Sequence, residues 1–152
     1  MSLENLLKSN KMYELGMLHM LTLRKANDFY QTALKQHDLT PVEWFMLGAI
    51  QDATPVGGIR VTDLANNFNV KTTYVTSTLN TLRTKKYVKT RLDPSDARVR
   101  RAILTSSGTK RLSNVELAIR KEITESFNGR LSAEEFDQYI HTMHKLSFVD
   151  AK

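Results

Sequence analysis

The 152-residue chain has no cysteine. That excludes disulfide staples, thiol redox chemistry and thiolate metal sites. Three prolines and six glycines are too few for long irregular loops, so most of the chain is expected in regular elements. No run of about 18 apolar residues occurs, so no segment is expected to span a membrane. The opening stretch MSLENLLKSNKMYEL lacks both a basic leader region and a continuous apolar run, so secretion is not expected and the cytoplasm is the expected compartment. Glycine-rich phosphate loops, nucleophile elbows and HExxH helices are also missing, so neither an enzyme nor a cofactor is expected.

Charge is concentrated in one place. From Lys71 to Arg101 there are nine basic residues and two acidic ones, a net of +7 in a chain whose total is +6. A positive field confined to about one fifth of the chain is what a polyanion-binding surface needs.

The fold reads as mainly α with a small β-hairpin. The first 36 residues show apolar positions near a 3.6 period and are expected to form one long helix. Thr40-Pro41-Val42-Glu43 is a strong helix start, with Thr40 as cap, Pro41 in the first turn and Glu43 closing a capping box. That helix carries Trp44, Phe45, Leu47 and Ile50 and stops before Thr54-Pro55. Val61 to Phe68 is a short helix, capped by Thr62 or a neighbour. After a tight connection at Asn69-Val70, a second helix places Val75, Leu79 and Leu82 on its inner stripe. Two such helices joined by some three residues form a helix-turn-helix pattern.

Tyr87 to Leu92, the turn Asp93-Pro94-Ser95-Asp96 and Arg100 to Leu104 then read as a hairpin with a polar, basic tip. A long helix runs from Ser106 to Asn128-Gly129, and a last one follows a capping box at Ser132 to Glu135. The expected order is α-α-α-α-β-β-α-α. Residues 1–38 and 106–152 are read as dimerisation helices and 39–105 as a winged helix-turn-helix lobe, all within one structural domain. The terminal helices carry more apolar surface than the rest of the chain can cover, so burial against a second copy is expected, with a monomeric bundle as the alternative.

Four stretches carry a family resemblance: LTPVEWFML at 39–47, VTDLANNFNV at 61–70, TYVTSTLNTLRTKKYV at 73–88 and DPSDARVRRAILT at 93–105. Together they resemble the MarR family of winged-helix transcription regulators. The last is the most specific, through Asp96, Arg98 and the closing Leu104-Thr105. By motif the resemblance covers roughly residues 39–108, and by helix order the whole chain. It implies a homodimer on a pseudo-palindromic DNA operator, expected to repress. Each recognition helix (71–85) would enter a major groove and each wing the flanking minor groove. In many members a small aromatic or phenolic effector releases the DNA. The chain departs from the family pattern at three positions: Lys86 stands where glycine usually follows the recognition helix, Ser77 where arginine is common, and Ala97 where the wing often has a further arginine.

The candidate site residues follow. Lys71, Thr72, Thr73, Thr76, Ser77 and Asn80 are expected to face DNA. A merely solvated face normally carries Glu and Lys rather than β-branched hydroxyls, which are mediocre helix formers. Short hydroxyls at a helix N-terminus suit phosphates and base edges. Without arginine at the base-reading positions, specificity is expected to lean on DNA shape and thymine methyls. On the wing, Arg98 is expected in a narrow minor groove, with Arg100 beside it and Asp96 holding the tip. The alternative for Arg98 is an ion pair with Asp93 or Asp96. Lys85, Lys86, Lys89 and Arg91 are read as phosphate-facing charges, with Arg101 adding to the wing. Met17, Trp44 and Phe45 are weak candidates for a ligand crevice, since such residues at helical spacing are more often core. His141 and His144 are spaced as a metal pair, but four ligands are not in prospect and no metal is expected. Two rival functions remain: a ligand- or protein-binding adaptor on the same fold, and a nonspecific DNA binder.

Overall fold

The computed structural model describes Lys8, residues 12–127 and residues 129–147. Helix α1 (Met12–Lys35) leads through a corner at Asp38 to α2 (Pro41–Ala53). Strand β1 (Ile59–Arg60) runs straight into α3 (Val61–Asn67), and α4 (Thr72–Thr84) follows. Strands β2 (Val88–Leu92) and β3 (Arg100–Leu104) form the hairpin, and α5 (Ser106–Phe127) and α6 (Ala133–Ser147) complete the order. The expected hairpin is thus part of a three-stranded antiparallel sheet in the order β1-β3-β2. The strand missed by periodicity is only two residues long and exists by pairing Ile59 with Ala102 and Arg60 with Arg101.

The helix starts show why the chain folds as it does. Thr40 Oγ1 accepts from the Glu43 amide at 3.3 Å, and Glu43 Oε2 accepts from the Thr40 amide at 2.8 Å. This reciprocal box satisfies two donors that the first turn would otherwise leave free. Ser132 and Glu135 repeat it at the start of α6. The start of α3 departs from expectation. Its cap position is Arg60, with no side-chain capping bond, because the residue before the helix is already committed to the β1–β3 pairing.

Lys86 does occupy the left-handed position after α4, at φ 63°. The Tyr87 amide donates to the Leu82 carbonyl and the Lys86 amide to the Arg83 carbonyl, both at 2.9 Å. That pair of bonds is a Schellman cap with lysine where glycine is preferred. Tyr87 then becomes a floor for α5. Thr105 Oγ1 donates to the Lys86 carbonyl at 2.7 Å and accepts from the Gly108 amide at 3.0 Å. Gly108 lies so close to the Tyr87 carbonyl that a Cβ there would collide with backbone.

The core joins both ends of the chain to the middle. Leu34 of α1, Met46, Leu47 and Ile50 of α2, Leu64 of α3, Val75 and Leu82 of α4, Val88 of β2 and Val115 of α5 are all fully buried. Outside that core the terminal helices stay bare. On α1, Met12, Tyr13, Leu15, Met17, Leu18, Met20, Leu21 and Leu23 are exposed, and none of the described side chains of α6 is buried. Leu3, Leu6 and Leu7 of the expected first helix lie outside the described residues.

Candidate nucleic-acid interface

Helix α4 turns Val75, Leu79 and Leu82 into the core, so the opposite side is solvent-facing by geometry. Lys71, Thr72, Thr73, Thr76, Ser77 and Asn80 are all exposed, as is Tyr74, which sequence reasoning passed over. The hydroxyls divide into two groups. Thr76 Oγ1 donates to the Thr72 carbonyl at 2.9 Å, and Thr78, Thr81 and Thr84 bond back in the same way. Such back-bonding leaves the oxygen as an acceptor and turns the methyl outward. Among the described residues, the hydroxyls of Thr72, Thr73 and Ser77 make no such bond and are free to donate.

The wing is stiffened at its base. Arg60, Arg101 and Arg91 lie side by side across β1, β3 and β2, since Arg101 is the register partner of both others. Adjacent like charges would repel, and Asp93 sits among them. Its Oδ2 accepts from Arg101 Nε at 2.6 Å and from Arg60 Nε at 3.1 Å. Its Oδ1 accepts from the Ser95 hydroxyl at 2.6 Å and the Ser95 amide at 2.9 Å. Asp93 is only 4% exposed. The two Ser95 bonds, then Arg101 and Arg60, outweigh its burial and hold its carboxyl far below the usual carboxylate range. Arg101 Nη1 also donates to the Gly58 carbonyl at 2.8 Å, and Arg91 donates to the Gly57 carbonyl from Nη2 at 2.6 Å and from Nε at 3.1 Å.

Arg101 is an internal tie between the sheet and the Gly57-Gly58 turn rather than an outward-facing charge. Arg91 donates to the same turn and remains exposed. The sequence signal for the anchor was Asp93 beside Pro94 in a segment otherwise rich in arginine, but which arginines it would meet depends on strand register.

At the tip, Asp96 Oδ1 accepts from the Arg98 amide at 2.9 Å. Asp96 therefore fixes the backbone of Arg98 and leaves its guanidinium alone. Arg98 is exposed, and its side chain makes no ion pair among the described residues. Arg100, Lys86 and Lys89 are likewise exposed and unpaired. Lys85 is different. Its ammonium lies 3.2 Å from both Glu43 carboxylate oxygens and 2.6 Å from the Asp38 carbonyl oxygen. It faces inward to the α1–α2 corner, so the expected phosphate-facing role does not fit its position.

Of the crevice candidates, Trp44 and Phe45 come together and Met17 does not join them. Trp44 and Phe45 stack with Tyr30, which also meets Phe29. Burial, followed by the phenol of Tyr139, raises the Tyr30 hydroxyl above its ordinary value. Met17 is exposed on α1. Cavities of about 730 and 380 Å³ open at the C-terminal end of α1, lined by residues other than Met17, Trp44 and Phe45. His141 and His144 lie on exposed positions of α6, and no group of three or more metal-ligating side chains occurs among the described residues.

A buried helix-turn-helix beside an arginine-tipped hairpin is a winged helix, and residues 37–99 match the model of the MarR family. Over those residues the chain is similar to the MarR family, and its fold is a winged helix. Solved structures similar to the chain carry the same fold well beyond that lobe. A MarR-family regulator from Rhodococcus sp. RHA1 superposes with a TM-score of 0.81 at 15% identity, over 92% of this chain and 96% of that one. A mutant of Escherichia coli MarR complexed with operator DNA gives 0.76 at 21% identity, over 89% and 94%. CouR from Rhodococcus jostii RHA1, bound to p-coumaroyl-CoA, gives 0.78 at 17% identity, over 91% and 94%. No curated protein matches the chain in sequence. In the winged-helix fold α4 is the second helix of the helix-turn-helix and the β2–β3 hairpin is the wing. No helix among the described residues is long and apolar enough to cross a membrane.

Proposed function

We propose that this protein is a sequence-specific, double-stranded DNA-binding transcription regulator that works as a homodimer and represses its target promoter. One observation carries the reading. Every side chain expected to face DNA on α4 is exposed beside a rigid wing whose tip arginine is unpaired. After the inward-facing Lys85 and Arg101 are set aside, Lys71, Arg83, Lys86, Lys89, Arg91, Arg98 and Arg100 remain exposed to attract phosphate, Arg91 while also donating to the Gly57 carbonyl. Thr72, Thr73 and Ser77 supply free hydroxyl donors near a helix N-terminus, where an anion is favoured. The methyl of back-bonded Thr76 suits apolar contact with thymine. Arg98 suits the narrow minor groove of an A·T-rich flank.

The homodimer is supported by the bare apolar faces of α1 and α6, since contiguous exposed apolar surface of that extent marks an interaction site. Two copies related by a two-fold axis would present two recognition helices to a pseudo-palindrome. Release by a small aromatic effector belongs to the same proposal. It is supported by the aromatic cluster around Trp44 and Phe45 and by the ligand held in the structural relative CouR.

The test is fluorescence-anisotropy titration of the duplex upstream of the protein's own gene, beside a shuffled duplex, at about 50 and about 200 mM salt. Tight binding to the first duplex alone, at one dimer per site, is the expected result. Equal binding to both, collapsing with salt, would favour a nonspecific binder, and no binding at either salt an adaptor. Arg98→Ala should weaken specific binding by roughly 1–3 kcal/mol, and unchanged affinity would remove the wing from the interface.

A further inference from the structure

We propose that Lys85 is a positioning residue: its ammonium ties the end of the recognition helix to the α1–α2 corner and so sets the angle at which α4 is presented to DNA. The inference rests on the DNA-binding reading above. Among the described residues, the polar side chains of α4 that make hydrogen bonds (Thr76, Thr78, Thr81 and Thr84) all bond back to their own helix. Lys85, the residue that caps α4, is the one that reaches another element. It reaches two at once. The Asp38 carbonyl belongs to the left-handed residue that turns the chain out of α1, and Glu43 is the capping-box carboxylate of α2. One ammonium thus joins the helix read as contacting DNA to α2 and to the turn that follows the helix whose bare face is read as the dimer surface.

The electrostatics favour a fixed contact. The Glu43 side chain is 6% exposed and that of Lys85 20% exposed. Glu43 Oε2 is already held by the Thr40 amide at 2.8 Å. A charge-assisted bond to a preoriented carboxylate, partly shielded from water, is directional in a way that apolar packing is not. Val75, Leu79 and Leu82 keep α4 on the lobe, and the Lys85 bonds add a directional constraint at its C-terminal end.

Leverage makes small tilts matter. From Lys85 back to Thr73 is about 18 Å along the helix axis at 1.5 Å per residue. A tilt of about 10° pivoting at Lys85 would move the reading end by about 3 Å, roughly one hydrogen-bond length. A phosphate contact has the opposite signature: it adds affinity on every sequence and contributes about 0.9 to the salt slope.

The experiment uses the full chain and a duplex recovered by the wild-type protein from a random-sequence duplex library, with a shuffled duplex as reference. Four proteins are compared: wild type, Lys85→Met, Lys85→Arg and the double variant Lys85→Met/Glu43→Gln. The double variant leaves no buried carboxylate without its cation, so it keeps the test alive if the single variant unfolds. The expected result for Lys85→Met and the double variant is a fall of about tenfold or more in the ratio of specific to shuffled binding, the size of one lost base contact. The salt slope should stay the same, and Lys85→Arg should recover most of the ratio. An unchanged ratio in the folded double variant overturns the proposal. So does a salt slope reduced by about 0.9 per subunit with the ratio kept, which would make Lys85 a phosphate contact. Failure of the wild-type protein to enrich any sequence would overturn the regulator reading itself and this proposal with it. That result is separable from a loss confined to the variants.

Discussion

Replacing Lys86 by glycine should make the protein more stable and its DNA binding weaker, and the two effects have separate causes. Lys86 sits at φ 63° in a complete Schellman cap, with both cap bonds at 2.9 Å. An L-residue in that conformation costs roughly 1–2 kcal/mol relative to the right-handed region. Glycine removes the cost, but its freer unfolded chain returns about 0.5–1 kcal/mol of it. The net gain is about 0.5–1 kcal/mol per subunit. For a domain of this size each kcal/mol moves the melting midpoint by about 2–4 °C, so a rise of about 1–4 °C is expected. Lys86→Ala is the control, because alanine keeps the backbone strain while removing the charge. It should melt within about 1 °C of wild type. On DNA the two variants should behave alike, each lowering the salt slope by up to about 0.9 per subunit if Lys86 meets a phosphate. Calorimetric melting and anisotropy titration of the same three proteins provide both readouts. A Lys86→Gly protein that melts no higher than Lys86→Ala would refute the argument that lysine at this cap is strained.

Three further outcomes are expected. Gly108→Ala should destabilise by about 1–3 kcal/mol, because the new Cβ meets the Tyr87 backbone carbonyl, which cannot move aside without breaking the Thr105 junction; a melting midpoint equal to wild type would contradict that packing. Asp93 should lend the wing an acid-sensitive stability. Its folded carboxyl is depressed below its unfolded value of about 3.8, so the unfolded chain binds the proton first and stability falls as pH drops below that value. The melting difference between wild type and Asp93→Asn should therefore shrink from pH 7 towards pH 2, and a difference constant across that range would speak against the anchor. Leu18→Glu, on the bare face of α1 where Leu18 is 53% exposed, should barely alter folding of one subunit. It should nevertheless convert the dimer to monomer, since a two-fold interface would lose about 1.5–3 kcal/mol of burial twice and bury two charges. Light scattering at micromolar concentration decides it, and a persistent dimer would place the interface elsewhere.

What the sequence made legible was local. The Thr40–Glu43 and Ser132–Glu135 boxes, the 3.6-residue stripe of Val75, Leu79 and Leu82, and the Asp93–Asp96 turn are each specified by residues within about one or two helical turns of one another. The cap position was legible for the same reason, since it is counted from its own helix, but the sequence leaves open whether Lys86 or another residue takes the left-handed conformation, and the structure places Lys86 there. The misreadings are of another kind. Strand β1 has no period of its own and is defined by partners more than 40 residues away. The segment's positive charge was read correctly as a total, but a total cannot say which cations point outward. Lys85 and Lys86 are adjacent and chemically identical, yet the cap reverses the chain between them. Lys85 turns to Glu43 and Asp38 across more than 40 residues of sequence, while Lys86 stays in water. Likewise Arg100 and Arg101 alternate across β3, so one faces solvent and the other meets Asp93. Composition therefore pointed to the segment rich in cations, and tertiary geometry divided those cations. Those bound by Asp93 and Glu43 shape the surface, and the exposed ones, Arg91 among them, remain to be attracted to phosphate.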